Sequence, residues 1–122
     1  MSLEQIESIK VKNLKFDPEN PRFAASNLQS LEQHQIVEEM FDSEQVIDLL
    51  NSIGTQGYFL GEPLLVFKDL NSGDFFVAEG NRRLAALKLL SQEVVLPSRA
   101  INELIKEFPH KPDNVPCIIF EN

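Results

Sequence analysis

The sequence predicts an α+β domain with a small mixed β-sheet and flanking helices. Apolar runs typical of strands occur near both ends and in the middle of the chain, and runs with the three- and four-residue spacing of helices lie between them. The turn Asn71-Ser72-Gly73 separates two of the strand-like runs and predicts a hairpin. This mixture of a hairpin, peripheral strands and helices favours a mixed sheet.

The first third of the chain is predicted to contain a strand, a loop and a helix. Partial alternation of apolar and polar residues over 6–11 predicts a strand near the edge of the sheet. The prolines of the segment 17–21 predict a loop, because proline restricts its own backbone and that of the preceding residue. Helical spacing of apolar residues then predicts a helix over 31–41.

A second helix is expected directly after the first. Asp42 and Gln45 resemble a capping box, in which two side chains satisfy the free amides at the start of a helix. The broad apolar stripe over residues 46–53 predicts the helix itself, and Gly54 or Gly57 is expected to end it.

The second half of the chain is predicted to supply the hairpin, two further helices and a last strand. Buried strands are expected over 63–67 and 75–78, and a strong helix follows over 82–90. Pro97-Ser98 is expected to open another helix. The apolar run over 115–120 predicts the final strand.

Composition excludes several classes of protein. The chain of 122 residues is interpreted as a single domain over 1–122, either complete or an N-terminal fragment of a longer protein. A net charge of −8 argues against a surface that grips DNA non-specifically, because such binding depends on neutralising phosphates. Cys117 is the only cysteine, so neither an intramolecular disulfide nor a cysteine zinc site is expected. With no secretory signal or membrane-length apolar run, we expect a cytoplasmic protein without a membrane partner.

The segment from Glu79 to Arg83 is the candidate functional site. It lies between a predicted strand and a predicted helix, and the free amides and dipole at the start of a helix favour an anion. Gly80 permits close approach of the backbone, and Asn81 is the expected N-cap residue. Arg82 and Arg83 then place two cations where each costs roughly 0.3–1 kcal/mol. A bound phosphate would explain both arginines, because guanidinium groups bind phosphate bidentately.

Spacing alone leaves a structural alternative open at this site. Arg82 and Arg83 could be solvated, or paired with Glu79 and other acids. The segment is also not a Walker phosphate loop, because it lacks that glycine, lysine and serine or threonine pattern.

A series of short motifs is similar to one known family. The motifs are Asn20-Pro21-Arg22, the helix end Ser52-Ile53, Gly57, Pro63-Leu64-Leu65-Val66 and the run from Phe76 to Ala86. In this order they resemble a ParB-like N-terminal domain of the ParB/sulfiredoxin superfamily, from about Val11 to Phe120. The most specific part is Gly-X-Arg-Arg at residues 80–83.

The resemblance implies a nucleotide as ligand. In ParB proteins a Gly-Glu-Arg-Arg motif holds the phosphates of a nucleotide, which is CTP in the chromosome-partitioning members; Gly80, Arg82 and Arg83 match it. We therefore expect CTP or ATP with Mg²⁺ at residues 79–83. Arg22, after its Asn-Pro turn, is either a second phosphate contact or a surface arginine.

Asn81 departs from the pattern of both branches of the superfamily. It stands where ParB proteins have the glutamate that is tied to hydrolysis, so nucleoside triphosphatase activity stays open and no catalytic residue is assigned. It also stands where sulfiredoxins have their cysteine. Without that nucleophile, sulfiredoxin-type reductase activity is rejected.

The expected role is a nucleotide-dependent switch module of a DNA-associated bacterial protein. DNA would be contacted through a C-terminal region missing from this chain, and homodimerisation is left open. The alternatives are a DNA-binding or nuclease module, and a protein-interaction domain that has lost its ligand. No metal site is expected apart from the nucleotide's Mg²⁺. Tyr58 and Phe59 are interpreted as closing the core, with base stacking as their alternative. Gly61-Glu62 is interpreted as a structural turn, and its alternative is the pocket-lining position that the resemblance implies.

Overall fold

A computed structural model of the chain describes residues 6–21, 32–43 and 45–121. In these residues five strands form one sheet, and four α-helices and a short 3-10 helix accompany it. The strands are β1 (Ile6–Lys10), β2 (Leu14–Phe16), β3 (Leu64–Lys68), β4 (Phe75–Glu79) and β5 (Asn114–Ile119). The helices are α1 (Gln33–Ser43), α2 (Val46–Gln56), α3 (Asn81–Leu90) and α4 (Arg99–Glu107), and the 3-10 turn is Val11–Asn13.

The sheet has the order β1-β5-β3-β4-β2 and is mixed. Its antiparallel pairs are β1 with β5 and β3 with β4, whereas β5 with β3 and β4 with β2 are parallel. The α+β class, the mixed sheet, the edge position of β1 and the β3–β4 hairpin are thus confirmed. The antiparallel hairpin directs the end of β4 back toward the start of β3, where the candidate site lies.

Helix α3 is the centre of the core. Every residue from Leu84 to Leu90 is buried, because α3 packs on α1, α2 and one face of the sheet. That face presents Leu64, Val66 and Val77, which alternate with half-buried neighbours as the two-residue period of a strand requires. Only the first turn of α3, with Arg82 and Arg83, reaches the surface. Within the described residues, no helix is both long enough and apolar enough to cross a membrane.

The predicted capping box at the start of α2 is wrong. Asp42 lies inside α1, and Gln45 precedes α2 in the left-handed conformation, with φ of 57° and no side-chain cap. Gln45, in this left-handed conformation, takes the place of the extended N-cap that a capping box requires. At the other end, Gly57 terminates α2 with φ of 86°, whereas Gly54 lies within the helix against the ring of Phe108.

The predicted start of α4 is confirmed. Ser98 is its N-cap, and the hydroxyl accepts a hydrogen bond of 3.3 Å from the amide of Ile101.

Candidate anion site at the start of α3

Gly80 forms the junction between β4 and α3 and is the N-cap of the helix. Its φ of 104° lies in the left-handed region that favours glycine. A Cβ at this position would collide with the Leu64 side chain and lie 3.1 Å from Nη2 of Arg83. The prediction that Asn81 is the N-cap is therefore wrong, because the turn needs glycine at the cap and Asn81 becomes the first helical residue.

The first turn of α3 leaves backbone amides available to a ligand. The Leu84 amide bonds to the carbonyl of Gly80 at 2.9 Å, which closes the first turn of the helix. The amides of Asn81, Arg82 and Arg83 precede it and have no carbonyl four residues back within the helix. Together with the helix dipole, these donors create a positive potential at the β4–α3 junction.

A cavity of about 260 Å³ opens at this junction. Its lining comprises Leu49, Glu62, Glu79, Gly80, Asn81, Arg82 and Arg83. All five residues from Glu79 to Arg83 therefore meet at one cavity, which also receives side chains from α2 and from the segment before β3. Arg22, the other predicted site residue, lies outside the described residues.

Arg83 is held in place by the segment that precedes β3. Its Nη1 donates to the Tyr58 hydroxyl at 2.9 Å and to the backbone carbonyl of Glu62 at 2.5 Å, and lies 3.8 Å from the Glu62 carboxylate. The Tyr58 hydroxyl donates to the same carbonyl at 2.7 Å. Burial raises the pKa of Tyr58, while the guanidinium of Arg83 opposes that rise. Arg83 thus fixes the turn and also presents a charge to the cavity.

Arg82 is exposed and differs from Arg83 in its contacts. Within the described residues, no hydrogen bond or ion pair engages its guanidinium, although it lines the same cavity. A cation without a partner in the first turn is unfavourable for the helix dipole. Its position is explained better by an anion that enters the cavity than by the stability of the helix.

Asn81 contributes an unsatisfied polar atom. The residue is 3% exposed, and its Oδ1 is buried without a hydrogen-bond partner in the described part of the chain. Leaving such an atom unpaired costs about 1–3 kcal/mol. The amide carries both a donor and an acceptor, so a ligand or an ordered water in the cavity can satisfy it.

Comparison with known proteins identifies the family. The family model of the ParB N-terminal domain matches residues 25–114, which is well over half of the chain.

The chain belongs to the ParB N-terminal domain family.

The same fold occurs in a solved ParB. This ParB domain is similar to the crystal structure of the C-terminally truncated chromosome-partitioning protein ParB from Caulobacter crescentus complexed with CTP-gamma-S. The TM-score is 0.54 and the identity 20%, over 97% of this chain and 45% of that chain. At this identity the likeness establishes the fold alone, and the chain spans less than half of the length of that ParB. No curated protein matches the sequence.

Two residues that line the cavity, and a third that contacts Arg83, were not predicted as site residues. Leu49 was assigned to the apolar stripe of α2, and Glu62 to a structural turn. Tyr58 packs on the core as predicted, but its role in holding Arg83 was missed. Phe59 was expected to help close the core, and this is wrong: it is 67% exposed, because the turn that brings Tyr58 inward directs its neighbour outward.

Cys117 and His34 do not line the cavity. Cys117 is buried in the core, and burial raises the pKa of its thiol to about 12, in keeping with inert packing. His34 is exposed as predicted. Within the ranges described, no group of three or more histidine, cysteine, aspartate or glutamate residues is placed to hold a metal ion.

Proposed function

We propose that this ParB N-terminal domain binds a nucleoside triphosphate, with the phosphates at the start of α3. The observation that carries the proposal is the convergence of unsatisfied donors on one cavity of about 260 Å³. These donors are the first amides of α3, the guanidinium of Arg82, which has no partner among the described residues, and the remaining N–H groups of Arg83. A polyphosphate would supply the acceptors and negative charge that these donors and cations lack within the described part of the chain.

The two arginines have different roles in this proposal. Arg83 is preorganised by Tyr58 and Glu62, so less of its side-chain entropy is lost when a phosphate arrives. Arg82 is free to move and would close over the outer phosphate. Gly80 lets the phosphates approach the backbone, where a side chain would meet Leu64.

The donor set also fits the Mg²⁺ that accompanies a nucleotide. Glu62 and Glu79 line the cavity, and the Oδ1 of Asn81 is a buried oxygen without a partner in the described residues. Mg²⁺ is typically held by one or two carboxylates, several waters and the phosphates themselves. These oxygens would hold the hydrated ion, which neutralises phosphate charge when bound.

The size of the cavity limits what it can hold. Sites that enclose a drug-sized ligand have volumes of about 300–1,000 Å³, so this cavity fits the phosphates but not a whole nucleotide. The sugar and base would lie beyond it. CTP is the first candidate, because the Caulobacter ParB of similar fold is complexed with a CTP analogue, and ATP is the second.

The domain is proposed to bind the nucleoside triphosphate, not to hydrolyse it. Asn81 occupies the position where a carboxylate could act as a general base, and a neutral amide cannot take up a proton in that role. Binding would instead switch contacts with another region of a DNA-associated protein in the bacterial cytoplasm, or with a second copy of the domain.

Calorimetry with CTP, ATP and GTP, each with and without Mg²⁺, tests the proposal. We expect one nucleotide to bind in the presence of Mg²⁺ and to shift the amide NMR signals of Gly80, Asn81 and Arg82. Absence of binding by all three at millimolar concentration would overturn it. Shifts confined to regions distant from α3 would also contradict it.

A further inference from the structure

A second surface lies on the face of the sheet opposite α3. Phe67 and Phe76 are directly opposite each other across β3 and β4, with ring centroids 5.5 Å apart. Phe120, just after β5, brings its ring centroid to 5.6 Å from that of Phe67. All three residues are only half-buried, and together they form an aromatic strip on this face. This surface is called the phenylalanine groove.

The phenylalanine groove has an apolar floor and a mainly acidic rim. Its volume is about 800 Å³. Its remaining lining residues are Asp17, Glu19, Lys68, Asp69, Leu70, Asn71, Ile119 and Glu121. Leu70 is 91% exposed at the hairpin tip and extends the apolar surface outward.

One rim carboxylate is already paired, and three are not engaged by a cation of the described chain. Asp69 forms an ion pair with Lys15 at 2.7 Å. Asp17, Glu19 and Glu121 have no such pair among the described residues. Of the described cations, Lys68 lines the groove and Lys15 lies at one end of it, paired with Asp69. The groove therefore presents an excess of negative charge around aromatic rings.

The ammonium group of Lys15 shows that these aromatic rings can accept a cation. Its Nζ lies 5.1 Å from the ring centroid of Phe76 while it pairs with Asp69. A cation is thus placed between an aromatic face and a carboxylate at one end of the groove. Arginine suits such a place especially well, because its planar guanidinium stacks on rings and binds carboxylates bidentately.

Charge complementarity selects among the occupants that an aromatic groove could take. Three aromatic rings on a sheet face would suit the bases of single-stranded nucleic acid, but the unpaired rim carboxylates repel phosphates. An anionic lipid surface meets the same repulsion. A second copy of this chain across a two-fold axis would oppose like charges, because such an interface presents the same patch from both sides.

We propose that the phenylalanine groove binds a basic segment of a partner protein. Arginine side chains of that segment stack on Phe67, Phe76 and Phe120 and pair with the rim carboxylates of Glu19 and Glu121. Its apolar side chains cover the ring edges and Leu70. This surface is independent of the nucleotide cavity, which lies at the opposite end of β4 from Phe75 and Phe76.

The test uses a fluorescein-labelled nonapeptide with three arginines separated by leucine and glycine, and a matched peptide with glutamates in place of the arginines. We expect the arginine peptide to bind the full chain, with amide NMR shifts at Phe67, Phe76 and Phe120, and the glutamate peptide not to bind. Glu19→Lys combined with Glu121→Lys should weaken binding by at least about tenfold, because rim charges then repel the peptide.

The matched control is Glu103→Lys with Glu107→Lys on exposed positions of α4, which changes the net charge by the same amount. It should alter affinity by no more than about twofold, since distant exposed charges are screened. Equal losses in the two double variants, or shifts outside the groove, would overturn the proposal. So would tighter binding of an oligothymidine than of the arginine peptide, or self-association through this face in sedimentation.

Discussion

The cations at the two ends of α3 differ in whether the described part of the chain supplies partners for them. Near the C-terminal end Lys88 is 6% exposed, and its Nζ donates to the Val11 carbonyl and to the Glu93 carboxylate, both at 2.8 Å. It also lies in the last turn, where the helix dipole favours a cation. At the N-terminal end Arg82 has no partner in the described chain, and the Oδ1 of Asn81 is buried and unpaired.

This difference separates structural polar groups from candidate binding groups within one helix. A charge with all of its partners supplied by the fold contributes to stability, and its removal leaves those partners unpaired. A charge without partners, in a position that the helix dipole disfavours, contributes little to stability. Selection for a ligand explains such a residue better, so the two ends should respond differently to mutation.

The largest effect on stability is expected for Lys88→Met. Methionine keeps most of the buried volume but leaves the Val11 carbonyl and Glu93 without their donor, which should cost about 3 kcal/mol of the free energy of unfolding. Urea unfolding measures the free energy of unfolding of each variant. The control is Lys106→Met at an exposed position of α4, whose free energy of unfolding should lie within about 0.5 kcal/mol of wild type. A loss below about 1 kcal/mol at Lys88 would contradict its structural role.

Gly80→Ala should be the next largest change. The positive φ costs about 1–2 kcal/mol for alanine, and the collision with Leu64 should bring the total to about 2–3 kcal/mol. Gly73→Ala is a matched control, because Gly73 has a φ of 82° but no atom within 4 Å of its added Cβ. It therefore reports the backbone strain alone. Equal losses at the two glycines would mean that close packing at the β4–α3 junction is unimportant.

Arg82→Ala should weaken nucleotide binding without lowering stability, because removal of a cation from the first turn relieves a dipole cost of at most about 1 kcal/mol. Removal of one charge-assisted contact to phosphate costs about 1.5 kcal/mol, or about tenfold in Kd. Arg99→Ala is the control, since Arg99 is also an exposed arginine in the first turn of a helix but lies on α4. Calorimetry with the bound nucleotide should detect a loss only at Arg82. Equal affinity of the two variants would remove Arg82 from the site.

Local sequence patterns predicted most of the strands and helices and the candidate site at residues 79–83. Periodicity was enough for the four helices and for four of the five strands, whereas β2 was not predicted, because three residues are too few to show a period. Residues 79–83 are contiguous, so their meeting at one cavity followed from one turn. The contacts of Tyr58 and Glu62 with Arg83 were not predicted, because only the return of β3 beside β4 brings these residues to Arg83. Both capping predictions failed for one reason: Gln45 and Gly80 adopt left-handed backbone, and that requirement outweighs side-chain preference. The role of Arg22 stays a prediction.

Asp69 in the β3–β4 hairpin is, like Lys88, a polar group whose partners are supplied by the fold. The Asp69 carboxylate accepts hydrogen bonds from Lys15, the Ser72 hydroxyl and the Asn71 amide, which lower its pKa from 3.8 to about 2. Like Lys88, it should therefore affect stability and not nucleotide binding. Although the Asp69 side chain is buried, its partners Asn71 and Ser72 are exposed, and solvent screening there makes this the smallest effect of the four.

The pH dependence of that effect follows from the direction of the pKa shift. Because the pKa of Asp69 is lower in the folded state, its stabilisation is fully present above about pH 4 and is lost as the pH falls through 2. Asp69→Asn should thus melt below wild type at pH 5, and the difference in Tm should narrow toward pH 2. Taking the difference between the two proteins cancels the titration of the other carboxylates. A constant difference across this range would mean that the hairpin hydrogen bonds, and not the carboxylate charge, stabilise the turn.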